Sequence, residues 1–429
     1  MSQTKIPAGS PLAKKVFGAA LFARVIQAPH LLKNLAGKAP QQSGAEAKLK
    51  GQTTPDMPVV RVTDLSKTAG DTVSVDCFDV IGGKPLMGDK NAEGKGEKLT
   101  SSSMDIAIDL STKVVDAGGK MSQQRTLHNL RGIAMAQLAG YFPRLQSQSA
   151  LVHMAGARGS MAGKDWVVPT MDDQDFDDIM INAVKAPTYN RHLVVDGSDL
   201  LQGGANLSAI DTTDVWTLDH LDAISLMLDD MDVPMQSVKI HDDPAADDEP
   251  IKGVLYLTPR QWDQIKTSTA SGNNWRTFLQ NAWNRKSHGS KHPLFSGEPG
   301  MWNGILVRTL PRWAVRFAPG ETTKVITAAN RYSATETDVT VNGSMATTHA
   351  VDRALLLGAQ GLGLVYGRNQ SSDYYFSWHE NKYNFDRSLE VAGDCMGGMS
   401  KIRFKFDDGQ GNSEPTDNGI IVIDSAVKL

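Results

Sequence analysis

The stretch that most constrains this chain lies between residues 82 and 103. Before it, Val73, Val75 and Cys77 alternate with Ser74 and Asp76, and the run continues through Phe78, Val80 and Ile81. After it, Met104, Ile106, Ile108 and Leu110 alternate with Asp105, Ala107 and Asp109. A period of two on both sides predicts two strands that pair with each other. The interval holds Gly82, Gly83, Gly88, Gly94 and Gly96, five charged side chains from Lys84 to Lys95, then Glu97 and Lys98. Structureless loops beyond about 12–15 residues are uncommon inside a compact domain. The pattern therefore predicts a long projecting hairpin whose tip, bearing Lys84, Lys90, Glu93, Lys95, Glu97 and Lys98, meets another molecule. The competing reading is a surface loop with no partner.

A second segment also looks outward. The first 50 residues carry Lys5, Lys14, Lys15, Arg24, Lys33, Lys38, Lys48 and Lys50 against the single acid Glu46. Leu12, Val16, Ala19, Ala20 and Ala23 recur at helical spacing, with Pro11 suited to a first turn and Pro29 as a stop. The basic start and apolar centre around Lys14 to Ala23 mimic a signal peptide, but Arg24 cuts the centre short, so an amphipathic helix is expected. Residues 37–58, rich in Gly, Pro, Gln and Thr, read as a connector. An arm and linker of this composition are expected to bury little against their own domain.

Downstream, Ser122 is placed to cap a helix whose face is Leu127, Leu130, Ile133, Ala134, Leu138 and Tyr141, with Pro143 ending or kinking it. From Asp196 to Glu249 fourteen acids face one base, Lys239; from Ile251 to Ala318 ten bases face two acids, Asp263 and Glu298. Blocks of opposite sign invite pairing, within the subunit or between neighbours. Leu218, Leu221, Ile224, Ser225 and Leu228 mark a helix, and Val254–Leu257 before Thr258-Pro259 a buried strand. Strand signals return after about residue 320: Ile402, Phe404 and Phe406 alternate with Arg403 and Lys405, Asp407-Asp408-Gly409 supplies a turn, and Ile420–Ile423 is a short apolar run. No repeat of fixed period occurs, which disfavours solenoids and propellers.

Little in the chain suggests chemistry. An EF-hand frame on Asp173, Asp175 and Asp177 puts Asp178 where the turn glycine belongs and Val184 where the bidentate glutamate belongs, so a solvated acidic segment is expected. His241-Asp242-Asp243 with Asp247, Asp248 and Glu249 is interrupted by Pro244 and followed by Pro250, and reads as an exposed loop. Gly358-Ala359-Gln360-Gly361-Leu362-Gly363 has the wrong spacing for a dinucleotide loop. Arg353–Leu357 before it reads as helical, which makes these glycines sites of close helix packing. There is no G-x-S-x-G. Trp262, Trp275, Trp283, Trp302 and Trp313 are expected as core and interface anchors. Two cysteines, Cys77 and Cys395, outside any cluster predict free thiols in a reducing cytoplasm. No apolar run approaches the ~20 residues of a membrane-spanning helix. Ordinary globular composition, 40% hydrophobic and 21% charged with a net charge of -4, excludes a disordered chain and gives no overall nucleic-acid or membrane signature. No catalytic residue, metal or cofactor is expected.

Four stretches, in order, carry a resemblance. They are Leu65–Asp71 (LSKTAGD) with the Gly88-Asp89 and Glu93-Gly94 pairs; Val254–Ile265 (VLYLTPRQWDQI); His292–Ile305 (HPLFSGEPGMWNGI), where His292 replaces a common Asn and Pro299 a common Leu; and Arg353–Gly367 (RALLLGAQGLGLVYG). Together they resemble tailed-bacteriophage major capsid proteins. That resemblance implies an α+β chain of the Johnson capsid fold: an N-terminal arm (1–65), an extended β-hairpin loop (66–105), a peripheral domain whose first part (106–174) holds a long spine helix, an axial domain (175–310), and the C-terminal part of the peripheral domain (311–429). It implies a structural protein of the virion that self-assembles, through pentamers and hexamers, into an icosahedral shell. Lys14, Lys15, Arg24 and the charged hairpin residues become candidate inter-subunit contacts. Portal, scaffolding or decoration proteins and non-specific packaged DNA at the inner face are the further partners implied, with assembly in the host cytoplasm and no membrane. Some relatives crosslink Lys to Asn; no crosslink is expected here. Two rivals remain: a cellular nanocompartment shell of the same fold, and a metal-dependent hydrolase built on the 172–178 or 241–249 acids.

Overall fold

The computed structural model describes residues 31–36, 56–62, 70–78, 85–88, 93–96, 101–126, 128–239, 251–267, 300–310, 312–367, 376–407 and 412–429. A short helix, α1 (Leu31–Leu35), and strand β1 (Val59–Val62) come first. Leu31, Leu32, Leu35, Met57 and Val59 are buried in the main core, and Ala36 bridges to Val59. The expectation that arm and connector bury little is corrected there: five apolar side chains suffice to dock the described ends of this segment, whatever its polar remainder does.

The two predicted strands are present and paired. β2 (Thr72–Phe78) and β3 (Ser101–Ala107) run antiparallel, from Thr72 opposite Ala107 to Phe78 opposite Ser101. The alternation does not continue as one strand to Leu110. It breaks at Ile108, and β4 (Asp109–Gly119) joins another sheet. Asn182 makes the break possible: its amide receives the Ala107 N–H and donates to the Ala107 carbonyl, both at 2.9 Å. A side chain thus satisfies backbone groups that would otherwise need a ladder partner.

Ser122 lies in a short helix, α2 (Lys120–Gln124), and does not cap the long one. The long helix, α3 (Leu130–Ala155), spans 26 residues and is capped by Asn129, whose side chain accepts from the Gly132 N–H at 3.0 Å. Pro143 lies inside it and does not end it. The proline removes one hydrogen bond, but Ser147–Ala155 beyond it are all buried, and tertiary burial outweighs the local loss. Gly156 ends the helix at φ 68°, and a Cβ there would lie 2.5 Å from the Lys185 carbonyl oxygen.

After α4 (Phe176–Met180) the chain supplies β5 (His192–Asp196), β6 (Asp199–Gln202), α5 (Leu218–Asp229), β7 (Gly253–Leu257), α6 (Pro259–Thr267), β8 (Gly300–Trp302), β9 (Ile305–Thr309) and β10 (Val315–Phe317). The strands that follow are β11 (Thr322–Val325), β12 (Thr337–Thr340), β13 (His349–Leu357), β14 (Leu362–Tyr366), β15 (Phe376–Tyr383), β16 (Ser388–Lys401), β17 (Arg403–Asp407), β18 (Ser413–Asp417) and β19 (Ile420–Lys428), with a short 3-10 helix (Ala328–Asn330) between β11 and β12. Arg353–Leu357 is therefore strand, and the helical reading is corrected. A short apolar run has no diagnostic period, and here it is buried on both faces between β7 and β19. Gly358–Gly361 is the turn that follows, not a helix-packing surface. The expected 407–409 turn starts where β17 ends, residues 408–411 lie outside the described set, and β18 precedes the 420–423 run.

Two sheets organise these parts. The eight-stranded sheet runs β6-β5-β19-β13-β7-β9-β8 with β10 beside β13, and the five-stranded sheet runs β1-β14-β16-β15 with β4 also on β16. The larger sheet sorts neighbouring residues to opposite faces. Leu255, Leu257, Leu356 and Ile423 meet the predicted stripe of α5; Val254, Tyr256, Leu355 and Val422 meet the end of α3 and α1. Burial on both faces explains why these strands read as continuous apolar runs. Ala134 and Leu138 of α3 pack on Val391 of β16, and the root of the β2–β3 hairpin packs through Met104 and Ile106 on Val365 and Phe404.

Candidate assembly surfaces and the buried frame behind them

Beyond its root, the described part of the hairpin stands largely in water. Phe78 is 67% exposed, Leu86 43% and Met87 69%, and Glu93–Gly96 are all exposed. Large apolar side chains held in water at the end of a paired ribbon mark a surface that is completed elsewhere. Of the sequence-predicted contact residues, Glu93 and Lys95 stand on this exposed tip; Lys14, Lys15, Arg24, Lys84, Lys90, Glu97 and Lys98 lie outside the described residues. A second projection was not foreseen. Between β15 and β16, Asn384, Phe385 and Asp386 all have positive φ, 55°, 54° and 60°, and Phe385 is 97% exposed. Left-handed backbone costs a non-glycine residue about 1–2 kcal/mol, so the turn holds Phe385 outward against a local penalty. Its only sequence signal is the adjacent Asn384 and Asp386.

One wide cleft, about 760 Å³, opens beside the edge strand β6. Its floor is Leu193, Leu200, Met227 and Met231, and its rim includes Asp230, Asp232, Arg331, Tyr332, Phe406 and Asp407. Two guanidinium groups reach it with bonds to spare. Arg191 donates to the Val233 carbonyl at 2.8 Å and Arg331 to Glu414 at 2.9 Å, yet the buried Nε–H of each has no partner among the described residues.

Behind these surfaces lies a frame of buried charge. Arg353 grips Asp424 through two bonds of 2.8 Å and donates a third, also 2.8 Å, to the carbonyl of Ala155, the last residue of α3. His192 reaches the same carboxylate at 2.7 Å, and all three side chains are buried. Burial by itself would raise the Asp424 pKa, but Arg353 and His192 outweigh it and hold it at about 2. A second knot joins Lys401 and Arg403 to Asp417, each at 2.7 Å. Burial lowers Lys401 to about 8 against the pull of Asp417. His153 on α3 is also enclosed and is lowered by burial to about 4. Through the Ala155 carbonyl the first knot fastens α3 to the larger sheet, and the second joins β16, β17 and β18.

The other motifs resolve into structure. Asp175 precedes α4, and Asp177 and Asp178 occupy its first turn, where carboxylates favour the helix dipole. The acidic and basic blocks meet within the subunit at Lys252 and Asp229, while Asp222 accepts from Trp302 Nε1 at 2.6 Å. Trp313 is a core residue and Trp262 packs against the α5 side of the sheet; Trp275, Trp283 and the 241–249 acids lie outside the described residues. Cys395 is buried and Cys77 partly so, both as free thiols. Among the described residues no three His, Cys, Asp or Glu side chains are grouped to hold a metal.

Comparison with known proteins gives one answer at two levels. The family model described as phage capsid protein matches residues 5–429. The fold is similar to the capsid of Ralstonia phage GP4 at 23% identity and TM-score 0.70, covering 100% of this chain and 99% of that one. It is also similar to the cyanophage Pam1 capsid (18%, 0.61, 100% of each chain) and to the head of Helicobacter pylori bacteriophage KHP40 (11%, 0.58, 100% and 98%). No curated protein sequence matches.

Proposed function

The chain belongs to the phage capsid protein family, and from that premise we propose how its parts serve the shell it forms. It is a major capsid protein, a structural component of the virion that assembles with its own copies around the phage genome. The observation that carries this is the family match across residues 5–429.

Within that role we assign the basic arm, with Lys14, Lys15 and Arg24, and the hairpin tip, with Lys84, Lys90, Glu93, Lys95, Glu97 and Lys98, to contacts between subunits. The proposed division keeps 1–65 as arm, 66–105 as extended loop, 106–174 and 311–429 as peripheral domain and 175–310 as axial domain. The exposed Phe78, Leu86 and Met87 support the loop assignment, because their burial between copies would recover apolar area at roughly 25 cal/mol per Å². Many modest contacts repeated around pentamers and hexamers then sum to a stable shell. The arm's bases suit non-specific contact with packaged DNA. Portal, scaffolding or decoration proteins and assembly in the host cytoplasm complete the proposal; among the described residues no helix is long and apolar enough to cross a membrane. The family match favours a genome shell over a nanocompartment.

Electron microscopy of the purified chain, alone and co-expressed with neighbouring genes, tests the role. Uniform closed shells are expected; a strictly monomeric product under both conditions contradicts it. Deletion of 84–98 should leave a soluble, folded subunit that assembles poorly, and normal assembly of that deletion removes the loop from the interface.

A further inference from the structure

We propose that the seat of α4 against α3 is an acid-released latch: protonation of His153 frees residues 176–182 from the long helix while the two main sheets stay folded. The latch lies within one subunit, so it stands or falls apart from the shell role.

The ring of His153 is enclosed in the C-terminal half of α3, next to the apolar cluster of Val152, Val168, Phe176 and Met180. Its Nε2 lies a long 3.4 Å from the Met180 carbonyl oxygen, and its buried Nδ1 has no partner among the described residues. The charges that act on it are both positive, Lys401 of β16 and Lys185 beyond α4. The acids of this region are already engaged. Asp417 of β18 is held by Lys401 and Arg403, and Glu336 by Lys324 and the Ala186 N–H. Asp177 and Asp178 of α4 are exposed. A proton on the ring therefore adds charge beside two cations in a site closed to water.

The segment seated on this ring is poised to leave. Helix α4 has five residues, too few to persist without tertiary support. Its anchors are the buried Phe176 and Met180, and the Asn182 side chain on the Ala107 and Met399 backbones. Between them Ile181 has φ 66° and ψ −55°, and the Asn182 N–H closes onto the Met180 carbonyl at 2.7 Å. This is the strained form of a γ-turn, in which a β-branched residue is an outlier. The carbonyl that closes the strained turn is the one His153 touches. Loss of the ring's seat and relaxation of the turn thus favour the same open state.

Hydrogen exchange of the unassembled full-length subunit, corrected for the intrinsic pH dependence of exchange, tests the latch. A ring that titrates at 6.5 when released and at about 4 when seated makes opening of 176–182 about twentyfold commoner at pH 5 than at pH 7.5. At both pH values the segment is expected to exchange through openings that leave α5 protected. His153→Gln, neutral throughout, is expected to erase the acid response. An acid response that survives in His153→Gln overturns the proposal, and so does a wild-type segment that exchanges only in step with α5. Should the variant fail to fold, the wild-type chain still decides. Cys395 lines a cavity of about 40 Å³ together with Ile179, Met180 and Ile181. A pyridyl disulfide is expected to couple to Cys395, relative to Cys77, about tenfold faster or more at pH 5 than at pH 7.5; an unchanged ratio overturns the latch.

Discussion

Replacing Arg353 by methionine tests the buried frame most directly. The guanidinium makes three bonds of 2.8 Å, two to Asp424 and one to the Ala155 carbonyl, in a site closed to water. Methionine fills most of the volume and supplies none of the donors. Asp424 would keep only His192, and breaking a buried pair from one side costs about 3–5 kcal/mol because an uncompensated charge remains. Asp424→Asn alone should cost about 2–3 kcal/mol, since the arginine then loses its counter-charge. In the double variant neither charge is present, and the total is expected to fall short of the sum by about 2 kcal/mol or more. pH supplies an independent check. The folded Asp424 pKa of about 2 lies below its ordinary 3.8, so the group stabilises the fold above pH 3.8 by about 2 kcal/mol and loses that contribution as pH falls toward 2. In Arg353→Met this acid limb should flatten. Urea titrations of the unassembled subunit at several pH values measure all of this. A single-variant cost under about 1 kcal/mol, or strict additivity in the cycle, refutes the frame as described.

Three further outcomes are expected. His153 is neutral when folded, because burial lowers its pKa to about 4 from 6.5; the unfolded chain binds the proton first, so stability should fall between pH 6.5 and 4 by up to about 3 kcal/mol, and His153→Gln should flatten that limb of a urea–pH series. Gly156→Ala, at φ 68° with a carbonyl oxygen 2.5 Å from its new methyl, should cost about 2 kcal/mol or more in chemical denaturation; a cost under 0.5 would mean the helix end shifts freely. Asn182→Leu strands the Ala107 peptide groups and should cost about 1–3 kcal/mol, with hydrogen exchange at Ala107 accelerated and exchange within α5 unchanged.

What the residues made legible follows from how each element is buried. The α5 stripe and the β2–β3 alternation were readable because each has one wet and one dry face, and the period survives in the letters. The inner strand Arg353–Leu357 was not, since burial on both faces erases the period that separates strand from helix. Helix α3 was found, but its start was misplaced and Pro143 left its end open. Ser122 and Asn129 are both acceptable caps by type, and only the fold chooses between them. Pro143 is a breaker unless the next three turns are held by packing from sequence-distant strands. The buried charges were invisible for a related reason: Asp424 follows the run Ile420–Ile423, and nothing local announces that Arg353 lies across from it. The hairpin tip showed itself because a long, charged, glycine-rich insertion has few explanations, whereas the projection at Phe385 is a four-residue turn that resembles any other.

The order of strands in the two sheets has a temporal meaning. Val59 pairs with Leu362, Val115 with Val391 and Val422 with His192, so the centre of the larger sheet stays open until β19 has left the ribosome. Loop closure over such separations is slow, and a nascent subunit would spend its synthesis without a finished core. Surfaces that rest on the larger sheet, unlike the local β2–β3 hairpin, would therefore be complete only after β19 has joined it. The topology acts as a clock that separates making the parts from joining them.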